Sequence, residues 1–396
     1  MKNTKNILLA LVLCGLLTGM ALAGTGSWTL KGEAWLTTGV LDISIGYEQG
    51  SQVPKIYAAA FEISRTLLYT DDEASNWTKK PLPLAVGSPR CVATIPNDPR
   101  YVFVGTLNNG VWWSGDYGQS WESRNTGLTN KRPLRLVVSP HNSNVVYCGT
   151  DFPRPKQPGD PFEPVSVDPY GVEPPGTVST GDLFVSNDGG FTWSNISPDP
   201  DFRVWDIKVD PNDPQRIWVS GEVKEPKPMI YLTTDGGQNW VGKSSIIPYN
   251  CISTLALHPT NPNVLYALKY DLPWTTNAGV YKTTDGGEHW TLLNVFLKTG
   301  SERGLILDPS SPNGLFVADK EDGSNPSLGH IYRSLDGGQT WVEKGQGAFG
   351  AWGISLAFDP PNLNHPQGVL YLGSGSAIHK STNYGDLWAE ADAGIE

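Results

Sequence analysis

An eight-residue phrase limits what this chain can become. TTDGGQNW occupies 233–240, TTDGGEHW 283–290 and SLDGGQTW 334–341. Looser copies stand at 70–77 (TDDEASNW), 114–121 (SGDYGQSW), 186–193 (SNDGGFTW) and 381–388 (STNYGDLW). The seven copies start 44 to 51 residues apart, except for one interval of 72. A sustained period of this size marks a repeat architecture, in which each unit buries its apolar face against its neighbours.

Each copy closes the same series of segments. An apolar run ends near Pro, as in DIKVDPNDP and TLALHPTNP; a short aromatic-centred run follows, as in RIWVSG and VLYALK; then come a variable loop and a third short run such as GVYK or HIYR. Period and punctuation read as strand, Pro/Asn turn, strand, loop, strand, Asp-containing turn, strand. Four antiparallel strands per unit of this length is the size of a propeller blade. The fold expected is therefore all-β, a seven-bladed β-propeller of four-stranded antiparallel blades.

Within the octet, Ser/Thr at position one and Asp at position three can accept hydrogen bonds from turn amides. Gly at position five permits a positive φ, and Trp at position eight opens the outer strand with a ring that can be buried between blades. Seven Asp side chains spread around a rim cannot share one site, so the octet is read as scaffold rather than chemistry. The octets resemble the Asp-box, or BNR, repeat S/T-x-D-x-G-x-T-W. That repeat belongs to sialidases, sortilin-type receptors, oligoxyloglucan-processing glycosidases and photosystem II assembly factors. The resemblance runs from about Leu41 to Glu390. It implies the propeller but no single activity, since those relatives include enzymes, receptors and assembly factors. Ser27-Trp28-Thr29-Leu30 resembles the outer strand that follows other boxes and is expected to close the ring beside the last unit.

Residues 1–23 read as a secretory signal peptide: Lys2 and Lys5, then ILLALVLCGLL, then Ala21-Leu22-Ala23 before Gly24. A membrane anchor and a lipoprotein attached through Cys14 are the weaker alternatives. The propeller then spans 24–396, and the expected location is secreted or periplasmic. No other apolar run is long enough to span a bilayer. The formal charge of −11 disfavours a phosphate backbone as partner. Cys91, Cys148 and Cys251 remain after the signal, an odd number that gives no disulfide framework. The histidines lack metal-ligand spacing, and neither metal nor cofactor is expected. Oligomeric state has no signal.

Length variation points to one face. The loops between second and third strands differ greatly among units, and the one at about 152–180 holds eight prolines in 29 residues. Variable loops on one side of a rigid scaffold are where binding is usually built. Hand alignment of the units brings Asp151 and Glu222, with Glu62, Asp271, Asp319 and Glu321, to the ends of second strands. It brings Arg90, Arg135, Arg203 and Arg303 to the starts of innermost strands, where guanidinium forks could grip a carboxylate or sulfate. Tyr170, Trp205, Tyr270, Trp274 and Trp352 offer ring faces for stacking on sugars. Asp151 and Glu222 are the acid pair nearest in blade order, and a glycosidase needs two carboxyls across the scissile bond.

The expectation is a non-catalytic binding or assembly module that presents this face to a glycan or protein partner. The alternative is a glycoside hydrolase or lyase using paired carboxylates there. The early arginine motif of sialidases is absent before the first box, the oligoxyloglucan enzymes pair two propellers where this chain has one, and the cysteine-rich modules of sortilin-type receptors are missing.

Overall fold

The computed structural model describes residues 39–60, 66–151, 181–200, 202–222, 227–244, 247, 251–270, 279–293, 304–320, 329–345, 353–374 and 377–394. The proposed signal peptide, the Trp28 strand and the Pro-rich insertion lie outside them. Strands are numbered β1 to β28 in chain order, beginning with β1 (Val40–Tyr47), β2 (Pro54–Ala60), β3 (Thr66–Thr70) and β4 (Thr78–Pro81). These four form an antiparallel meander in the order β1-β2-β3-β4, and the remaining strands repeat that order in fours. Two neighbouring meanders touch through one backbone pair, Glu222 with Cys251. The protein is an all-β propeller.

The first strands of the other sheets are β5 (Pro89–Ile95), β9 (Pro133–Val138), β13 (Arg203–Val209), β17 (Cys251–Leu257), β21 (Leu305–Leu307) and β25 (Gly353–Asp359). Each lies against the first strand of the next sheet, and β25 lies back against β1, so these strands line the axis. The core sits between sheets rather than within one. Tyr57, Leu67 and Tyr69 of the first sheet bury against Val92, Val102 and Val104 of the second. Val40, Ile56 and Leu68 meet Val369, Tyr371 and Ile378 of the last. Burial at ~25 cal/mol per Å² of apolar surface makes such shared layers the main cohesive force.

The inner strands share an irregularity. Register slips by one residue at Leu41, Arg90, Leu134, Trp205 and Ser253, each one or two places after its strand begins. A bulge of this kind re-aims the residues beside it. Here it comes just before Asp42, Arg135 and Asp206.

The Asp boxes behave as hydrogen-bonded staples. In the box at 233–240, Thr233 Oγ1 donates to Asp235 Oδ1 at 2.7 Å and accepts the Gly237 N–H at 3.0 Å. Asp235 then accepts the Asn239 backbone N–H at 2.9 Å and its side-chain amide at 2.7 Å. The Trp240 indole donates to the Ile196 carbonyl of the preceding sheet at 2.8 Å. Trp77, Trp193 and Trp290 make the same cross-sheet bond to Ala391, Arg124 and Lys243. The N–H at position four donates to a carbonyl in the Pro/Asn turn of its own sheet, as Gly236 does to Gln215 and Gly286 to Asn263. Boxes and Pro/Asn turns therefore share one face.

Candidate functional site at the loop end of the ring

The opposite face gathers charge. Asp151 follows β10 (Val146–Thr150), is 5% exposed, and receives groups from three sheets. Arg90, the bulged residue of β5, reaches its Oδ2 at 2.6 Å. Arg203, the first residue of β13, reaches Oδ1 at 2.7 Å, and Arg132 approaches Oδ2 at 3.6 Å. The backbone is tied as well: Asp151 N–H donates to the Arg132 carbonyl, and the Asn130 amide donates to the Asp151 carbonyl at 2.7 Å.

Burial alone would push this carboxyl up, but Arg90, Arg203 and Arg132 hold it well below the usual carboxylate range. Asp151 is a fixed anion, unsuited to giving or taking a proton near neutral pH. Glu222 ends β14 (Ile217–Glu222) directly across the ladder from Arg203. Its side chain is 32% exposed, and its Oε2 lies 3.2 Å from Arg203 Nη1. One guanidinium thus bridges both predicted acids, and it lies 4.4 Å from the Trp205 ring.

Arg135 belongs to a second group nearer the axis. Its Nη1 lies 3.1 Å from Asp42 Oδ1 and its Nε 3.2 Å from Asp206 Oδ1, with Lys208 Nζ 3.1 Å from Asp206 Oδ2. The two carboxylates also accept backbone N–H groups of the following inner strands: Val92 on Asp42 at 3.1 Å and Leu255 on Asp206 at 2.9 Å. Burial pulls the Lys208 ammonium below its ordinary value, with Asp206 opposing. For Asp206, burial pushes upward and is outweighed by Lys208 and Arg135. The network closes strand edges along the axis while balancing its own charge.

The structure therefore brings Asp151, Glu222, Arg90 and Arg203 into one cluster and gives Arg135 different partners. Tyr270 ends β18 (Leu265–Tyr270), its backbone paired with Cys251. Arg303, Trp274 and Trp352 lie outside the described residues, as do Glu62, Asp271, Glu321 and Tyr170. Sequence reasoning missed Asp42, Asp206 and Lys208. Aligning inner strands on their bulges would have found the first two, since both take the register position of Arg135.

A family model described as sortilin, neurotensin receptor 3, matches residues 181–324. The crystal structure of the GH74 xyloglucanase from Xanthomonas campestris superposes with a TM-score of 0.66 at 17% identity, covering 90% of this chain and 55% of that one. The chain is a sialidase/sortilin-like propeller. YCF48 from Cyanidioschyzon merolae shares the fold of this sortilin-like propeller at a TM-score of 0.56 and 13% identity, covering 87% and 95% of the two chains. In sequence, xyloglucanase Xgh74A of Acetivibrio thermocellus is 25% identical over 246 residues, 52% of this chain and 26% of that enzyme. An oligoxyloglucan-reducing end-specific xyloglucanase of Emericella nidulans is 26% identical over 205 residues, 46% and 25% of the two. The match spans about a quarter of the length of these curated relatives.

Proposed function

We propose that the chain is an exported, seven-bladed, glycoside-hydrolase-like propeller that engages a β-glucan of the xyloglucan class at the Asp151–Glu222 end of the ring. The observation that carries this reading is the match of about half the chain to xyloglucanases. Closure of the inner strands from β25 back to β1 supports the blade count. The chemistry of the face offers a polyhydroxylated ligand the carboxylate of Glu222, 32% exposed and held in place by the buried Arg203; Trp205 is buried and offers no open ring face.

Hydrolysis needs one carboxyl that carries a proton and a second that is ionised. Asp151, held ionised by three arginines, serves only as an anchor for them. Glu222 is the reacting carboxyl of this proposal. The test is to incubate the full chain with xyloglucan and unbranched β-glucans and to follow products by mass spectrometry, alongside Glu222→Gln. Shortened products that disappear in Glu222→Gln while binding persists support hydrolysis at this site. Turnover unchanged by the substitution overturns the assignment of Glu222, and an absence of both binding and products overturns the glycan reading.

A second reading, non-catalytic recognition of a glycan or protein, is favoured by one observation. Arg203 bridges Asp151 and Glu222, occupying the space between the two acids. Binding without products in the same experiment selects it.

A further inference from the structure

The first Asp box, at 70–77, is built differently from the other six. Positions four and five of every box have left-handed backbone. Four boxes place glycine at both positions, and those at 114–121 and 381–388 keep it at position five. The first box instead holds Glu73 at φ 59° and Ala74 at φ 63°, two adjacent residues that carry side chains. Glycine enters this region freely, whereas every other residue does so at a cost.

The same box lacks an internal bond. In the other six, the position-five N–H donates to the position-one hydroxyl at 2.7 to 3.0 Å. Thr70 Oγ1 donates to Asp72 Oδ1 at 2.7 Å and accepts the Asp72 N–H at 3.3 Å. Among the bonds of the described residues, it takes none from Ala74.

What holds this box comes from the last sheet. The Glu73 carboxylate lies 2.7 Å from His365 Nε2 and 3.4 Å from Lys380 Nζ, and Lys380 also donates to the Glu73 carbonyl at 2.8 Å. Trp77 donates its backbone N–H to the Ala393 carbonyl at 2.8 Å and its indole N–H to the Ala391 carbonyl at 2.6 Å. Ala74 and Trp77 share one buried core with Val369, Tyr371 and Ala391. Trp193 makes the same two bonds, to Thr126 at 2.9 Å and Arg124 at 2.8 Å. Its partner Arg124 is 69 residues away, however, whereas Trp77 and Ala391 are 314 apart. A short connecting chain keeps two faces close after their bonds break, and a long one does so far less.

We propose that the first Asp box is the release point of the ring, a strained latch that parts the last sheet from the first before any other boundary yields. Opening there frees two left-handed residues and forfeits no position-five bond. The latch stays closed through Glu73 and Trp77, which the last sheet grips from two sides. Strained backbone persists only where its surroundings hold it, and here they belong to the far end of the described chain. The opening is sub-global: the other sheets keep their cores while this boundary exchanges with solvent.

The test is native-state hydrogen exchange of the full chain, read by mass spectrometry. Peptides covering 70–77 and 389–394 report the seam, and those covering 121–127 and 186–193 report the boundary held by Trp193. The seam peptides are expected to exchange together and faster than the second pair. His365→Ala should speed the seam peptides by about ten-fold, the effect of losing one hydrogen bond to a charged group, and leave the second pair unchanged. Equal protection of the two boundaries in the parent overturns the proposal. So does equal acceleration of both pairs in His365→Ala, which means that the ring opens only as a whole. No acceleration in either pair overturns the part given to Glu73.

Discussion

Position four of the octet shows how much one residue can depend on a neighbouring sheet. Its backbone is left-handed in every box, including three where the residue is not glycine: Glu73 at φ 59°, Tyr117 at 60° and Tyr384 at 58°. That conformation costs a non-glycine residue on the order of 1 kcal/mol. All three send their side chains to the adjoining sheet, Glu73 to His365, Tyr117 to Glu48 and Tyr384 to Asp308. The cross-sheet bond offsets the strain. The octet's Ser/Thr, Asp and Trp were legible in the sequence because the Ser/Thr and Asp bonds are local and the Trp bond to the preceding sheet recurs in four boxes. Position four was not, because its partner lies some 50 residues or more away and differs each time. The site divides the same way. Unit alignment found Asp151, Glu222, Arg90 and Arg203, whereas the pairing of Arg135 with Asp42 and Asp206 runs across the ring and leaves no local trace.

Two substitutions test this scale. Thr233→Val keeps the shape but deprives the buried Gly237 N–H of its acceptor. A loss of about 1–3 kcal/mol in denaturant unfolding is expected. Asp151→Asn removes the anion between Arg90, Arg132 and Arg203. Like other broken buried ion pairs it should cost roughly 3–5 kcal/mol, measured the same way.

At the level of the element, the outer strands are too short to hold the ring together. β8 (Glu122–Ser123), β12 (Ser194–Asn195) and β16 (Val241–Gly242) contribute two residues each. Four box tryptophans, Trp77, Trp193, Trp240 and Trp290, take over, each donating to a carbonyl of the sheet before it. Trp193 donates to the Arg124 carbonyl at 2.8 Å, whereas the Trp121 indole nitrogen is buried without an acceptor. Replacing either by Phe removes similar volume, so the difference between them isolates the hydrogen bond. Trp193→Phe should be the more destabilising by about 1–2 kcal/mol, read from thermal or urea unfolding.

For the whole molecule, the boxes set the acid limit of stability. Hydrogen bonds from the Thr192, Asn239 and Thr340 side chains and backbones pull Asp188, Asp235 and Asp336 down to about 2. Asp116 also lies at about 2, burial opposing and Ser120 prevailing. A folded pKa below the unfolded value of ~3.9 means stability that is present above pH ~4 and lost as pH falls toward 2. Because the boxes are spread around the ring, they should fail together. Acid titration followed by circular dichroism is expected to show one steep transition between pH ~4 and ~2. A gradual loss beginning above pH 5 would contradict this account.

The order of strands within each sheet has a mechanical consequence. Every sheet is built from consecutive strands, so among the described residues the backbone bridges each boundary between sheets except the one from last to first. A load applied to the two ends therefore falls first on that seam, on Trp77, Tyr47 and Glu73 and their partners. Once it parts, sheets are exposed to the pull one after another from the ends. With a repeat of about 47 residues and ~3.4 Å per extended residue, single-molecule stretching should record a first event of small extension. Steps of about 160 Å follow, and the ring would behave as a zipper with one catch.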